Sequence, residues 1–209
     1  MAITPPRTDA GRIEPGLSFG PVDDPKLAKN RVHLDLNSRS ADDQRAIVER
    51  LLELGASHAD VGQRDVPWVV LADPEGNELC VLDPRDDYAD AGPVAAVVLD
   101  ARDPGTLAGF WTEAAGWPIV ARRGAHVRLA APDGVGPRLE LIQVDDPKAG
   151  KNRVHLDVAP YASDNQAAEV ARLLDLGAVH ANVGQRGDET WVVLADPAGN
   201  EFCVLSPRD

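Results

Sequence analysis

The stretch KNRVHLDL alternates, with Val32, Leu34 and Leu36 on one side of an extended chain and Arg31, His33 and Asp35 on the other. A period of two marks a strand with one apolar face, and here the opposite face carries chemically equipped side chains. In SADDQRAIVERLLELGA the period lengthens: Ile47, Val48, Leu51, Leu52 and Leu54 make a helical stripe, and Gly55 stands where a helix-ending glycine belongs. A short strand is predicted over residues 58–61. The run VPWVVLADPEGNELCVL then predicts a strand, an Asp-Pro-Glu-Gly turn and a second strand. The unit reads as strand, helix and three strands.

That unit returns. Residues 23–64 reappear as 145–186 and residues 68–86 as 191–209, with roughly seven in ten aligned positions identical, which is an internal duplication. In the second copy Ser163 and Gln166 have capping-box spacing, Val170, Leu173, Leu174 and Leu176 form the stripe, and Gly177 ends it. Between the copies VAAVVLDA predicts a strand, followed by a helix from Pro104 that carries Leu107, Phe110, Trp111 and Ala114 and closes at Gly116. Strands are predicted near 118–121, 126–130 and 139–144, so three strand–helix–three-strand units fit an α+β chain. One repeat period holds two units. Residues 94–209 therefore read as a complete pair, and residues 1–86 as a pair without its beginning, whose strand at 17–22 matches the one at 139–144.

Composition narrows the partners. Lys and Arg number 21 against 34 Asp and Glu, a formal charge of −13, which is the wrong sign for a phosphate-binding surface and argues against nucleic acid. No apolar run approaches the roughly 18 residues of a membrane span. The opening MAITPPRTDAGRIEPG has neither the basic start nor the apolar stretch of a leader, so a cytoplasmic location is expected. Cys80 and Cys203 occupy equivalent places in the two copies, a poor arrangement for bridging, and read as two buried thiols in a reducing compartment.

The paired units, the strand–helix–LGA passages and the two ADPxGNE turns at residues 72–78 and 195–201 resemble the vicinal oxygen chelate superfamily, the group of glyoxalases, bleomycin-resistance proteins and extradiol dioxygenases. KNRVHLDL, VGQR and WVVLADPEGNELCVL look like the glyoxalase-like domains common in actinobacteria. The resemblance implies a glyoxalase-like fold in which paired units curl their sheets around a cavity. In the enzymes it implies a divalent metal held by two first-strand and two last-strand positions. Carried onto the complete pair, those positions fall on Ala96, Glu140, Arg153 and Cys203, so the usual four-ligand set is not preserved. In the incomplete pair Ser18 stands where Glu140 stands.

Two chemistries follow. A rearranged site would draw on Glu140, His155 and Glu201, with Cys203 beside them, a donor set suited to zinc, manganese, iron or nickel. It would serve a lyase, an isomerase or a dioxygenase. Without a metal, Arg153 and His155 become donors for an anionic or carbonyl-bearing molecule, with Asp157, Cys203 and Trp191 beside them and Arg31 and His33 as counterparts in the first copy, flanked by Asp35, Glu78 and Cys80. A bleomycin-resistance type of protein sequesters such a molecule without turnover, and an assembly scaffold is the third reading. The incomplete N-terminal unit would leave a sheet edge open, so a homodimer through residues 1–86 is expected. Trp68, Trp111 and Trp117 read mainly as packing, His58 and His180 as surface loop positions, and His126 has no repeat partner.

Overall fold

The computed structural model describes residues 2–3 and 16–207; residues 4–15, within the stretch that lacks a leader-like pattern, lie outside the described residues. Two short strands, β1 (Ala2–Ile3) and β2 (Leu17–Ser18), pair antiparallel. The strand expected over 17–22 stops after two residues, where Phe19 is followed by Gly20 and Pro21, residues that weaken a ladder or cannot donate to one.

The strand–helix–three-strand order then occurs three times among the described residues. The first series is β3 (Val32–Leu36), α1 (Ala41–Glu53), β4 (Ser57–His58), β5 (Val69–Ala72) and β6 (Glu78–Val81). The second is β7 (Val94–Ala101), α2 (Pro104–Ala115), β8 (Ile119–Arg123), β9 (His126–Leu129) and β10 (Arg138–Gln143). The third is β11 (Leu156–Val158), α3 (Gln166–Asp175), β12 (Val179–His180), β13 (Val192–Ala195) and β14 (Glu201–Val204). His58 and His180 are exposed as expected, but each lies in a two-residue strand rather than a loop.

Local chemistry explains the helix ends. Ser40 caps α1 by accepting from the Asp43 amide at 3.1 Å, and Gly55 and Gly177 follow α1 and α3 with φ of 98° and 107°, where a side chain would strain the backbone. The start of α3 differs from the sequence expectation: its cap is Asn165, accepting from the Ala168 amide at 3.1 Å, and not Ser163. Gln166 serves another purpose. Its side-chain amide donates to the carbonyls of Thr190 and Val204, both at 2.9 Å, as Gln44 donates to Pro67 and Val81. Each glutamine thus ties its helix to the ends of the last two strands.

The chain divides into two compact units, Met1–Val98 with Ala130–Glu140 and Leu99–Leu129 with Leu141–Asp209. In the first, hydrogen-bonded strands run in the order β4-β5-β6-β3, continued by the opening parts of β7 and β10. In the second, the later parts of β7 and β10 continue into β9 and β8, and a separate sheet runs β11-β14-β13-β12. The opening part of β7 and residues 130–140 thus fall with the N-terminal series, and the rest of the middle series with the C-terminal one.

The divergence between the copies supplies the physical reason. Asn37, just past β3, has no equivalent in the other copy, where Ala159 stands at its place. Its backbone amide donates to the Pro93 carbonyl at 2.9 Å, and its side chain donates to the carbonyls of Tyr88 at 2.8 Å and Gly92 at 3.1 Å. These bonds lead the segment after a short 3₁₀ turn (Asp86–Tyr88) alongside β3, and β7 begins directly after it. Ala159 has no side chain with which to do the same for β11.

Within the second unit the core is aromatic. Trp111 of α2 meets Phe110 and Phe202 edge to face, with centroids 5.4 and 5.3 Å away, geometry that adds to the gain from burying the rings. Trp111 is buried, as the sequence led one to expect. The pairing of β3 with β7 yields a stability prediction. Replacing Asn37 with Ala leaves two carbonyls without their donor in a part-buried setting, so Asn37→Ala lowers unfolding stability in urea by about 1–3 kcal/mol, whereas Ala159→Gly leaves the β3–β7 pairing untouched.

Candidate functional site

The two ADPxGNE turns are anchors. In the first copy Glu78 accepts from Lys26 Nζ at 2.6 Å and from the Asn30 amide at 3.1 Å, while Asn30 Nδ2 donates to Asn77 Oδ1 at 3.1 Å. In the second, Glu201 accepts from Lys148 Nζ at 2.7 Å and the Asn152 amide at 3.2 Å, and Asn152 Nδ2 donates to Asn200 Oδ1 at 3.2 Å. The aspartate of each turn binds the turn itself: Asp73 accepts from the amides of Glu75 and Asn77, and Asp196 from those of Ala198 and Asn200. Burial raises the Asp196 carboxyl above its ordinary value against these donors, which include Trp111 Nε1 at 3.2 Å. The repeated DDPK, KN and GNE segments therefore lock the start of the first strand onto the last.

That lock fixes a register. β3 and β6 pair in parallel with Asp35 opposite Cys80, and β11 and β14 pair in parallel with Asp157 opposite Cys203. A strand repeats its facing every second residue, so His33 and His155 lie on the same faces as Asp35 and Asp157. His33 Nε2 stands 3.6 Å from Asp35 Oδ1, and His155 Nε2 stands 3.3 Å from Asp157 Oδ1. In each copy one donor atom from the His, the Asp and the Cys lies within 4.8 Å of the other two.

The environments of the two clusters differ. The side chains of His33 and Asp35 are 12% and 11% exposed, those of His155 and Asp157 41% and 38%. The strand order accounts for it: β3 has β7 on its outer side, whereas β11 ends its sheet. Burial and the neighbouring Asp35 carboxylate push the Cys80 thiol far above its ordinary value, so it is a thiol and not a thiolate. Hydrogen bonds to Asp157 and Cys203 raise His155 to about 10, outweighing the opposing effect of burial. His155 is thus an imidazolium at neutral pH, a cationic donor beside a carboxylate.

The other sequence candidates fall elsewhere. Glu201 is held by Lys148 and Asn152, and Glu140, buried in the first unit, accepts from the Tyr88 hydroxyl. The structure therefore assembles His155 with Asp157 and Cys203 and commits Glu140 and Glu201 to other bonds. Ala96 is fully buried and offers no donor. Of the four positions where the resemblance implied metal ligands, Ala96, Glu140, Arg153 and Cys203, one is an alanine and one a guanidinium, so the residues present do not fit that site. Arg31 and Arg153 are half-buried. Trp191 is exposed, while Trp68 is half-buried, donates to Gln63 Oε1 at 2.8 Å and has the Arg85 guanidinium 5.4 Å from its ring centre. Sequence reasoning passed over Tyr88 and Asn37, both beside a linker that the duplication does not repeat.

A family model described as "Glyoxalase-like domain" matches residues 3–82 and 96–205. No curated protein matches the chain. Among solved structures, a putative dioxygenase from Bacillus subtilis aligns with a TM-score of 0.56 at 12% identity, over 87% of this chain and 63% of its own. A point mutant of glyoxalase I from Zea mays aligns with a TM-score of 0.55 at 18% identity, over 85% of this chain and 70% of its own. The chain thus spans less than two thirds of the length of the Bacillus protein, and both likenesses are ones of fold. Among the described residues no helix is long and apolar enough to cross a membrane.

The anchors carry a pH prediction. Burial alone would raise Glu78, but the bonds from Lys26 and the Asn30 amide outweigh it and hold the carboxyl below its ordinary 4.5. A depressed folded value contributes stability that is complete above the unfolded value and is lost as pH falls through the folded one. Glu78→Gln therefore destabilises the protein by about 1–3 kcal/mol at pH 7, and the gap to the parent narrows once pH drops below 4.5 in paired denaturation curves.

Proposed function

The chain belongs to the glyoxalase-like domain family, and on that premise we propose that it binds a small anionic or carbonyl-bearing molecule at the His155–Asp157–Cys203 cluster. The observation that carries this reading is the convergence of those three side chains at a partly exposed strand. The imidazolium of His155 supplies a charged donor there, and Asp157 orients it. Arg153, half-buried and two residues earlier in the sequence, carries a guanidinium suited to a carboxylate or an enolate. Trp191 contributes an exposed ring, while Arg31 and His33 mark the more enclosed counterpart in the first copy. A metal-dependent lyase, isomerase or oxygenase is the second reading, favoured by the mixed nitrogen, oxygen and sulfur donors of each cluster.

The direct reading is tested by thermal unfolding of chelator-treated protein with phosphate, oxalate and pyruvate as probes. At least one anion raises the melting temperature of the parent, and the gain disappears in Arg153→Gln/His155→Gln. Equal melting temperatures with and without every probe would overturn it.

A second copy of the chain is the partner that goes with this site. The sequence placed the open edge in residues 1–86, but β3 has neighbours on both sides, and the leading strand at a sheet edge is β11. Three leading strands pair two by two with one left over, and an edge that exposes its backbone invites another strand. A second copy supplies its own β11 edge. Sedimentation velocity at micromolar concentration then gives twice the chain mass, and a single monomeric species across the concentration range would count against the pairing.

A further inference from the structure

The β8–β9 hairpin carries a further group of convergent polar side chains. Ala121 pairs with Arg128, and Arg123 with His126, across its antiparallel ladder, and directly opposed residues share a face. These four residues line a depression of about 160 Å³ that opens to solvent. We propose that Arg123, His126 and Arg128 bind a phosphate group, free or esterified. The proposal goes beyond the reading of the His155 cluster, which lies in a separate sheet.

Strand alternation sets these side chains apart from the core. Val127 and Leu129 are buried, and α2 packs on β9, so His126 and Arg128 face the opposite side. Arg122, paired with Val127, turns the other way, and its guanidinium lies beside Gly105 at the start of α2. The depression therefore takes Arg123 and leaves Arg122 to the helix side. A two-residue turn closes the hairpin, with Gly124 at a φ of 59°, a value that favours glycine there. The Gln143 amide donates to the Ala125 carbonyl at 3.0 Å and ties that turn to β10. Arg123 and His126, which flank the turn, are thus held in one register.

The fold does not require these cations. In both duplicated series the third strand is VVLA, whereas β9 is HVRL, and the second strands SH and VH carry no arginine, whereas β8 is IVARR. Chemistry then selects the ligand. A guanidinium offers a planar fork to a pair of oxygens, the imidazole adds a donor from another side chain, and none of the four lining residues is acidic. Three donor groups from separate positions suit the tetrahedral oxygens of phosphate better than a planar carboxylate. The depression is smaller than the roughly 300–1,000 Å³ of a site that encloses a drug-sized molecule. It takes the phosphate and leaves the rest of an ester outside, where β8 forms the margin of its sheet. The formal charge of −13 argues against an extended polyanion, but a single phosphate meets only this local group.

Calorimetric titration with inorganic phosphate and with glycerol phosphate tests the proposal. The protein is full-length, chelator-treated Arg153→Gln/His155→Gln, so that the cluster on β11 takes no part; oxalate and pyruvate remain the planar probes of that cluster. One equivalent of phosphate is expected to bind. Adding Arg123→Gln, a change at an exposed position, weakens binding by about tenfold or more, and adding Arg128→Gln as well abolishes it. The single change serves alone where the double one fails to fold. Glycerol phosphate binding as tightly as inorganic phosphate identifies an ester as the ligand, binding of inorganic phosphate alone identifies the free ion, and either supports the proposal. Absence of binding by both probes, or binding that Arg123→Gln leaves unchanged, overturns it, and neither result bears on the anion assay of the His155 cluster.

Discussion

In both repeated units the last strand returns beside the first, and a part-buried carboxylate holds that return in place. Glu78 and Glu201 each gather a lysine ammonium and a backbone amide from the segment leading into the first strand, within 2.6–3.2 Å. Hydrogen bonds to a charged group are worth about 1.5–3 kcal/mol net, enough to decide one register over its neighbours. A slip of one residue would turn every side chain of the strand to the opposite face. Cys80 would then face away from His33 and Asp35, and Cys203 from His155 and Asp157. The chemistry of the protein therefore depends on a contact that takes no part in it.

The same sequence also produces two different surroundings. KNRVHLD occurs twice without change, yet one copy lies inside a sheet and the other at its margin. The copies diverge directly after that segment, and among the differences Asn37, against Ala159, bonds the linker that leads to β7. Tyr88 in that linker is almost fully buried and donates to Glu140, so the linker is fastened at both ends. Enclosure lowers the exposure of the first cluster to about a quarter to a third of the second's. Access is thus set by packing, while the donors themselves stay the same.

Much of the local structure was legible. The period-two alternation at residues 31–36, the stripes ending at Gly55 and Gly177, and the turns at Asp73 and Asp196 all lie where the pattern places them, because they depend on short-range geometry. The cap at Asn165 was missed because Ser163 has the right spacing for one and Gln166 is occupied by strand carbonyls, a long-range contact that spacing does not reveal. Glu201 had the right residue type for a metal ligand, but its partner Lys148 lies 53 positions away in the chain. The sequence grouped Asp157 and Cys203 with His155 among the ligand-binding candidates, but it gave no geometry for them. Their convergence with His155 needs the parallel register, which alternation along one strand cannot supply.

The anchoring carboxylate has a consequence for how such chains are related to one another. Both copies of the duplicated unit keep the lysine, the asparagine and the glutamate that clamp two strands together, although one cluster is enclosed and the other open. Those letters are also the ones by which resemblance is recognised. A signature made of fasteners travels with the shape through a duplication, so inheritance of the signature records ancestry and leaves occupation open.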